Sequence, residues 1–173
     1  MRIVTYGAAC SLDGFIAGPD HSLDWLHFSK DAQAFMAGFM ASVDAIVMGR
    51  KTWEVSAALG GDMGGMRTYV FSSTLERIGH PAVELVRSDA GEFVRDLKHQ
   101  AGKGICVMGG GELACSLLRA GVVDAVGLNV HPLLLGTGVP LFRDAGRVPL
   151  DLLESRVIDG GCVLSRYRVR RPG

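Results

Sequence analysis

Residues 48–53 read Met-Gly-Arg-Lys-Thr-Trp, and residues 108–112 read Met-Gly-Gly-Gly-Glu. Each stretch follows a short apolar run, Ala45-Ile46-Val47 in the first case and Ile105-Cys106-Val107 in the second. Short apolar runs bounded by glycine read as strands buried on both faces. A helix follows each one, carrying Leu113, Leu117 and Leu118 in the second case. A strand that ends in glycine and opens a helix leaves the first N–H groups of that helix unpaired. Together with the helix dipole they make an anion site. Two such units predict an α/β fold whose ligand binds at the carboxyl ends of the strands. A ligand with several phosphates suits them. Arg50 and Lys51 bring charge and Thr52 a hydroxyl, while a third strand ends in Phe71-Ser72-Ser73-Thr74 with further hydroxyl donors.

Outward from these units the chain alternates strand and helix. Residues 2–10 are apolar on both alternating faces, as in a central strand. Residues 11–27 form a loop. Ser29 then caps a helix to about 42, with an apolar stripe of Phe28, Ala32, Phe35, Met36, Phe39 and Val43. Residues 45–48, 68–71, 83–86 and 105–108 are short strands, 59–66 is a glycine-rich surface loop, and Ser88 or Asp89 opens another helix. Residues 124–131 make a strand and 132–149 a loop with three prolines. Residues 151–159 and 162–170 close the chain as a hairpin through Gly160-Gly161. The expectation is one domain, 1–173, with a mostly parallel mixed sheet of about eight strands flanked by helices and an antiparallel C-terminal hairpin.

Composition narrows the function classes. Lys plus Arg and Asp plus Glu each total 18 in 173 residues, so no net field favours nucleic acid or an anionic membrane. Hydrophobic residues make up 48% and charged residues 21%, which excludes intrinsic disorder. Cys10, Cys106, Cys115 and Cys162 are scattered, without a CxxC pair, and read as buried apolar residues of a reducing compartment. No apolar run approaches the ~20 residues of a membrane span. A soluble cytoplasmic protein is expected. The five histidines show no metal-ligand spacing and read as incidental. Arg166, Arg168 and Arg170 alternate along the last strand, either as an anion-binding stripe or, the favoured reading, as a solvated face that discourages edge pairing.

The order and spacing of four pieces carry a resemblance. They are Ser11-Leu-Asp-Gly-Phe-Ile-Ala17, Met48-Gly-Arg-Lys-Thr-Trp53, Phe71-Ser-Ser-Thr74 and Val107-Met-Gly-Gly-Gly111. Together they resemble the dihydrofolate reductase-like superfamily, and within it the RibD C-terminal domain of riboflavin biosynthesis. The resemblance implies an NADPH site. On that pattern Ala9 and Ile16 lie against the nicotinamide end, while Gly49, Arg50, Lys51 and Thr52 hold phosphates. Ser72 and Ser73 lie near the adenosine 2′-phosphate. The turn from Met108 through Gly109, Gly110 and Gly111 to Glu112 lets the backbone approach the pyrophosphate, with a cis peptide at Gly109-Gly110.

On the substrate side folate reductases keep one carboxylate near the start of the helix after the first loop. Asp31 occupies that place, where it either orients a heterocycle or complements the helix dipole. Asp24 precedes it and also reads as a surface turn residue. Asp13, in the SLDG loop, is either substrate-facing or a turn former. Trp25 and Phe28 either close the pocket as a lid or pack in the core. Asn129 matches a polar pterin contact. Phe15 stands where the riboflavin-type enzymes tend to carry a basic residue, so neither a pterin nor a ribosylaminopyrimidine is singled out.

The expected activity is hydride transfer from NADPH to a small heterocycle of one of these kinds. The alternative is a noncatalytic protein that binds a nucleotide or small molecule on the same fold. A homodimer is expected, through Val130, Leu133 to Leu135, Val139 and Leu141, read as exposed, and because related riboflavin-type domains pair.

Overall fold

The computed structural model describes residues 1–60 and 63–170. Gly61 and Asp62 of the glycine-rich loop lie outside the described residues. In chain order the elements are β1 (Val4–Ser11), β2 (Phe15–Ala17), α1 (Lys30–Ala41), β3 (Val43–Gly49), α2 (Arg50–Ala58), β4 (Arg67–Phe71) and β5 (Val83–Val86). They continue with α3 (Ala90–His99), β6 (Gly104–Met108), α4 (Gly111–Arg119), β7 (Ala125–His131), β8 (Val139–Pro140), β9 (Leu150–Val157) and β10 (Val163–Val169).

Eight strands form one sheet in the order β5-β4-β3-β6-β1-β7-β10-β9. The first six of these run parallel, and β10 pairs antiparallel with both β7 and β9. From β1 the chain moves through α1 to β3 and through α2 to β4, all in one direction. It returns through α3 to β6 and passes by α4 to β7 on the far side of β1. Right-handed crossovers put α1 and α2 on one face of the sheet and α3 and α4 on the other. The packing agrees. Val94, Leu97 and Leu117 of α3 and α4 bury against Val4, Tyr6, Ile105 and Val107, whereas Phe39 and Trp53 of α1 and α2 pack on Ile46, Met48, Val70 and Cys106. The direction of winding reverses between β3 and β6, which are hydrogen-bonded neighbours.

Local chemistry explains the helix starts. Ser29 Oγ accepts the N–H of Ala32 at 3.1 Å and Asp89 accepts that of Glu92 at 2.9 Å, so Asp89 rather than Ser88 caps α3. All four cysteines are buried and unpaired. Burial pushes the Cys10 thiol up to about 11 and that of Cys106 to about 12, which keeps both protonated at neutral pH. No described helix is long and apolar enough to cross a membrane.

The structure differs from the sequence reading in three places. The 11–27 loop contains β2, which pairs with β8 from the proline loop in a second, two-stranded sheet. The α1 stripe is only partly used: Ala32 is buried, but Phe28 and Met36 are exposed, because the helix reaches the edge of its core. The closing hairpin turns through a short 3₁₀ segment, Asp159–Gly161, rather than a two-residue loop.

Tyr6 is fully buried in β1, and its hydroxyl has no hydrogen-bond partner. Burial raises its pKa, with smaller contributions from Cys115 and Cys10. Tyr6→Phe removes a desolvated hydroxyl and keeps the ring contact with Phe142. It is expected to stabilise the fold by about 1 kcal/mol, seen as a melting temperature about 2–4 °C higher. A lower melting temperature would mean that the hydroxyl is satisfied.

Candidate functional site: the crevice between β3 and β6

Met48 and Met108 are ladder partners, so the two glycine turns leave the sheet side by side. Gly49 is the N-cap of α2 and Gly110 the N-cap of α4, and neither helix start is capped by a side chain. Their first N–H groups therefore face the same crevice, at the point where the winding reverses. The two turns also touch. A Cβ on Gly109 would lie 2.5 Å from Thr52 Oγ1 and 2.6 Å from its Cγ2, whereas one on Gly49 would meet nothing within 4 Å. Gly109 and Gly110 have φ of 62° and 58°, and this left-handed pair turns the chain into α4. The expected cis peptide is absent: the Gly109-Gly110 bond is trans, and two successive positive φ angles make the turn without it. Gly111 serves packing, since a Cβ there would stand 2.8 Å from the carbonyl oxygens of Pro140 and Leu141.

At the flank of the crevice Gly49 pairs with Phe71, so the turn after β4 lies beside the start of α2. Ser72 Oγ accepts the N–H groups of Thr74 at 3.2 Å and Leu75 at 3.0 Å, which shapes that turn. Ser73 is exposed. Arg50 pairs with Glu54 one turn along α2 at 2.7 Å, and Lys51 is exposed. Arg87 donates to the carbonyl oxygens of Ser73, Leu75 and Glu76 and so places a second guanidinium at this flank.

The α1 side of the sheet has a recess next to the crevice. Gly7 of β1 pairs with both Met108 and Gly127, and Cβ atoms on Gly7 and Gly127 would meet nothing within 4 Å. Two residues along, Ala9 pairs with Asn129, and Ser11 with His131. Asn129 Oδ1 and Trp25 Nε1 are both buried without a hydrogen-bond partner. One is an acceptor and the other a donor, the set a polar planar ring would satisfy.

Comparison with known proteins decides the family. The family model of the RibD C-terminal domain matches residues 2–164. The chain belongs to the RibD C-terminal domain family. The uncharacterized protein YyaP of Bacillus subtilis is 30% identical, covering 96% of this chain and 94% of its own. A protein of Shewanella sp. PV-4 named for riboflavin biosynthesis superposes with a TM-score of 0.87 at 26% identity, covering 98% of this chain and all (100%) of its own. A pyrimidine reductase-like protein of Corynebacterium diphtheriae shares the fold, with a TM-score of 0.77 at 18% identity over 99% of this chain and 93% of that one.

In this RibD C-terminal domain the three sequence-nominated carboxylates do not converge. Asp31 is exposed in the first turn of α1, and Asp24 is exposed in the preceding loop. The Asp13 carboxylate accepts Ser11 Oγ–H at 2.6 Å and the N–H groups of Gly136 at 2.8 Å and Leu135 at 3.1 Å. It ties the SLDG loop to the proline loop, and these hydrogen bonds, led by that of Ser11, lower its pKa. The folded pKa is depressed, so the tie is present above the ordinary aspartate range and is lost as pH falls through the lowered value. Glu112 is exposed at the start of α4, and Ile16 packs half-buried on the core from β2.

His131 is the residue that the sequence reading passed over. It is fully buried at the end of β7 and packs edge-on against Trp25, with ring centroids 5.2 Å apart. Its Nε2 accepts the N–H of His27 at 3.2 Å, which fastens the segment before α1 over the recess. Phe28 of the same segment points outward and is exposed. A histidine two positions beyond Asn129, on the same face of the strand, was the available signal. Among the described residues no three His, Cys, Asp or Glu side chains gather as a metal site.

Proposed function

We propose that this chain is an NADPH-dependent reductase acting on a small nitrogen heterocycle, either pterin-like or ribosylaminopyrimidine-like. The observation that carries the reading is the pair of glycine-capped, uncapped-by-side-chain helix starts at the β3–β6 reversal, held together by the Gly109–Thr52 contact. They offer N–H donors for the diphosphate of a dinucleotide, with Thr52, Arg50 and Lys51 at the rim. Ser72 and Ser73, with Arg87 behind their turn, suit the adenosine 2′-phosphate. The nicotinamide end would enter toward Ala9 and Ile16. NADPH, when bound, supplies the hydride. The recess beyond it, floored by Gly7 and Gly127, suits a flat ring, with Asn129 accepting and Trp25 donating a hydrogen bond. Asp31, exposed in the first turn of α1, is the carboxylate nominated to hold or deliver a proton. A Thermotoga maritima protein of the same fold, at 18% identity, is named a deaminase and 5-amino-6-(5-phosphoribosylamino)uracil reductase, which supports the pyrimidine class.

A screen for substrate-dependent NADPH oxidation across folates, pterins, flavins and aminouracils tests the reading. One class is expected to turn over. Asp31→Asn is expected to slow that turnover while cofactor affinity holds. Nucleotide binding without oxidation of any class would favour the noncatalytic alternative, which the exposure of all three carboxylates suits.

Arg50→Ala is expected to weaken NADPH by roughly 10–100-fold, the loss of one charge-assisted hydrogen bond, and NADH by less. The guanidinium must leave Glu54 to reach a phosphate, and an exposed pair one helical turn apart gives it up at little cost. Equal weakening of both nucleotides would move the discrimination to Arg87, and Arg87→Ala would then narrow the preference.

A further inference from the structure

At the end of the sheet opposite the crevice, the starts of β1 and β6 and the last turn of α1 surround a cavity of about 420 Å³. Gly104 and Met108 are the two ends of β6, four steps or ~13 Å apart, so this cavity is separate from the glycine turns. Its wall is apolar at Ile3 and Phe39 and carries the Thr5 hydroxyl. Three basic side chains line it, Arg2, Lys103 and Arg166, and no Asp or Glu does so among the described residues.

Arg2 is the buried member, with its side chain only 6% exposed. Its Nη2 pairs with Asp44, and its Nε donates to the Lys103 carbonyl at 2.7 Å. The third nitrogen, Nη1, has no hydrogen-bond partner among the described residues. Gly102 closes the back of the cavity against this guanidinium, since a Cβ there would lie 3.0 Å from Arg2 Cζ. Lys103 Nζ donates to the Ala41 carbonyl at 3.1 Å, which uses one of its three protons. The arginines of β10 are not equivalent. Arg168 and Arg170 share Asp151 at 3.1 and 2.6 Å, whereas Arg166 stands 3.9 Å from Glu154, which Arg156 also approaches at 3.7 Å. Arg166 pairs with Gly127, and Gly127 with Gly7, so its side chain shares the α1 face of the sheet with Thr5.

We propose that this cavity binds a small carboxylate with a flat apolar body, of the arylacetate kind. Arg2 Nη1 meets the carboxylate from within, Arg166 and Lys103 meet it from the rim, and the ring lies against Phe39 and Ile3. Both halves of the ligand follow from the lining. A neutral ring would leave the cations without a counter-charge, and a bare inorganic anion would leave the apolar wall uncovered. Apolar walls with a few convergent polar groups, in a volume of this order, are the usual form of a small-molecule site. A guanidinium held in place by two other hydrogen bonds loses little freedom on accepting a carboxylate.

Titration of phenylacetate into the wild-type protein, followed by amide nuclear magnetic resonance, tests the proposal. Saturable shifts are expected at the amides of Ile3, Lys103 and Gly104, with Gly109 to Gly111 unmoved. Phenylacetamide, which keeps the shape without the charge, and inorganic phosphate are each expected to bind at least tenfold more weakly, the share of one charge-assisted hydrogen bond or of the apolar contact. Arg2→Met should abolish the shifts. Should that variant fail to fold, the double variant Lys103→Ala, Arg166→Ala changes only exposed side chains and should weaken phenylacetate by about tenfold or more. Shifts that do not saturate, or that fall at Gly109 to Gly111 instead, would overturn the proposal. So would equal binding of phenylacetamide or phosphate, or a double variant that binds phenylacetate as the wild type does.

Discussion

Gly109→Val is expected to lose NADPH binding by well over tenfold and to lower the melting temperature as well. Two physical effects act together. Gly109 has φ of +62°, where an L side chain costs roughly 1–2 kcal/mol and a β-branched one more. The added Cβ would also stand 2.5 Å from Thr52 Oγ1 in the first turn of α2. The turn must move, and moving it parts the two helix starts whose N–H groups are proposed to bind the diphosphate. A loss of about 2–3 kcal/mol corresponds to a fall on the order of 5–10 °C for a chain of this size. Gly110→Ala separates the effects. It carries the same strained φ of +58° but meets Thr52 only at 3.6 Å. Its stability cost is therefore expected without the large loss of affinity. Thermal melts and nucleotide titrations of both variants check the pair. If Gly109→Val binds NADPH as the wild type does, the crevice is not where the dinucleotide sits.

Asp124→Ala is expected to be the most destabilising single change outside the crevice, at about 3–5 kcal/mol. Lys98 Nζ is buried on α3 and donates to Asp124 at 2.6 Å and to the Val122 carbonyl at 3.0 Å. Asp124 also accepts the N–H of Val4 at 2.9 Å. One carboxylate thus joins α3, the start of β7 and the start of β1. Truncating it leaves an ammonium ion in a site from which water is excluded, and a strand N–H without its acceptor. The melting temperature should fall by about 10 °C or more. The double variant Lys98→Met, Asp124→Asn should recover much of that fall, because it removes the stranded charge and keeps an acceptor for Val4. Equal melting temperatures for Asp124→Ala and the double variant would show that the charge is not what matters.

The parts of the fold that were legible in the sequence are those set by local rules. Buried apolar runs ending in glycine marked β3 and β6, and Ser29 and Asp89 announced their helices by capping chemistry. The alternation of Arg166, Arg168 and Arg170 with Tyr167 and Val169 showed an outer charged face. What stayed hidden depends on residues distant in sequence. The β2–β8 pairing joins segments about 120 positions apart, and neither segment is long enough to show a period. Asp13 looked like a local turn former or a substrate group, yet two of its acceptor contacts are with Leu135 and Gly136. The importance of His131 comes from Trp25 and His27, about 100 residues earlier. The trans bond at Gly109-Gly110 corrects an expectation that came from resemblance rather than from the residues. Glycine itself permits the observed pair of positive φ angles. Leu141, expected on an exposed surface, is buried, because hydrophobicity in the proline loop does not reveal which of its apolar residues turn inward.

The two glycine-capped helix starts between β3 and β6 are proposed to form a dinucleotide site that prefers the 2′-phosphorylated form. Calorimetric titration of the wild-type protein with NADPH and then NADH tests it most directly. One saturable NADPH site per chain is expected, with NADH roughly 10–100-fold weaker, the share of one to two charge-assisted contacts to the extra phosphate. No saturable binding of either nucleotide would contradict the site, and equal binding of both would contradict the preference.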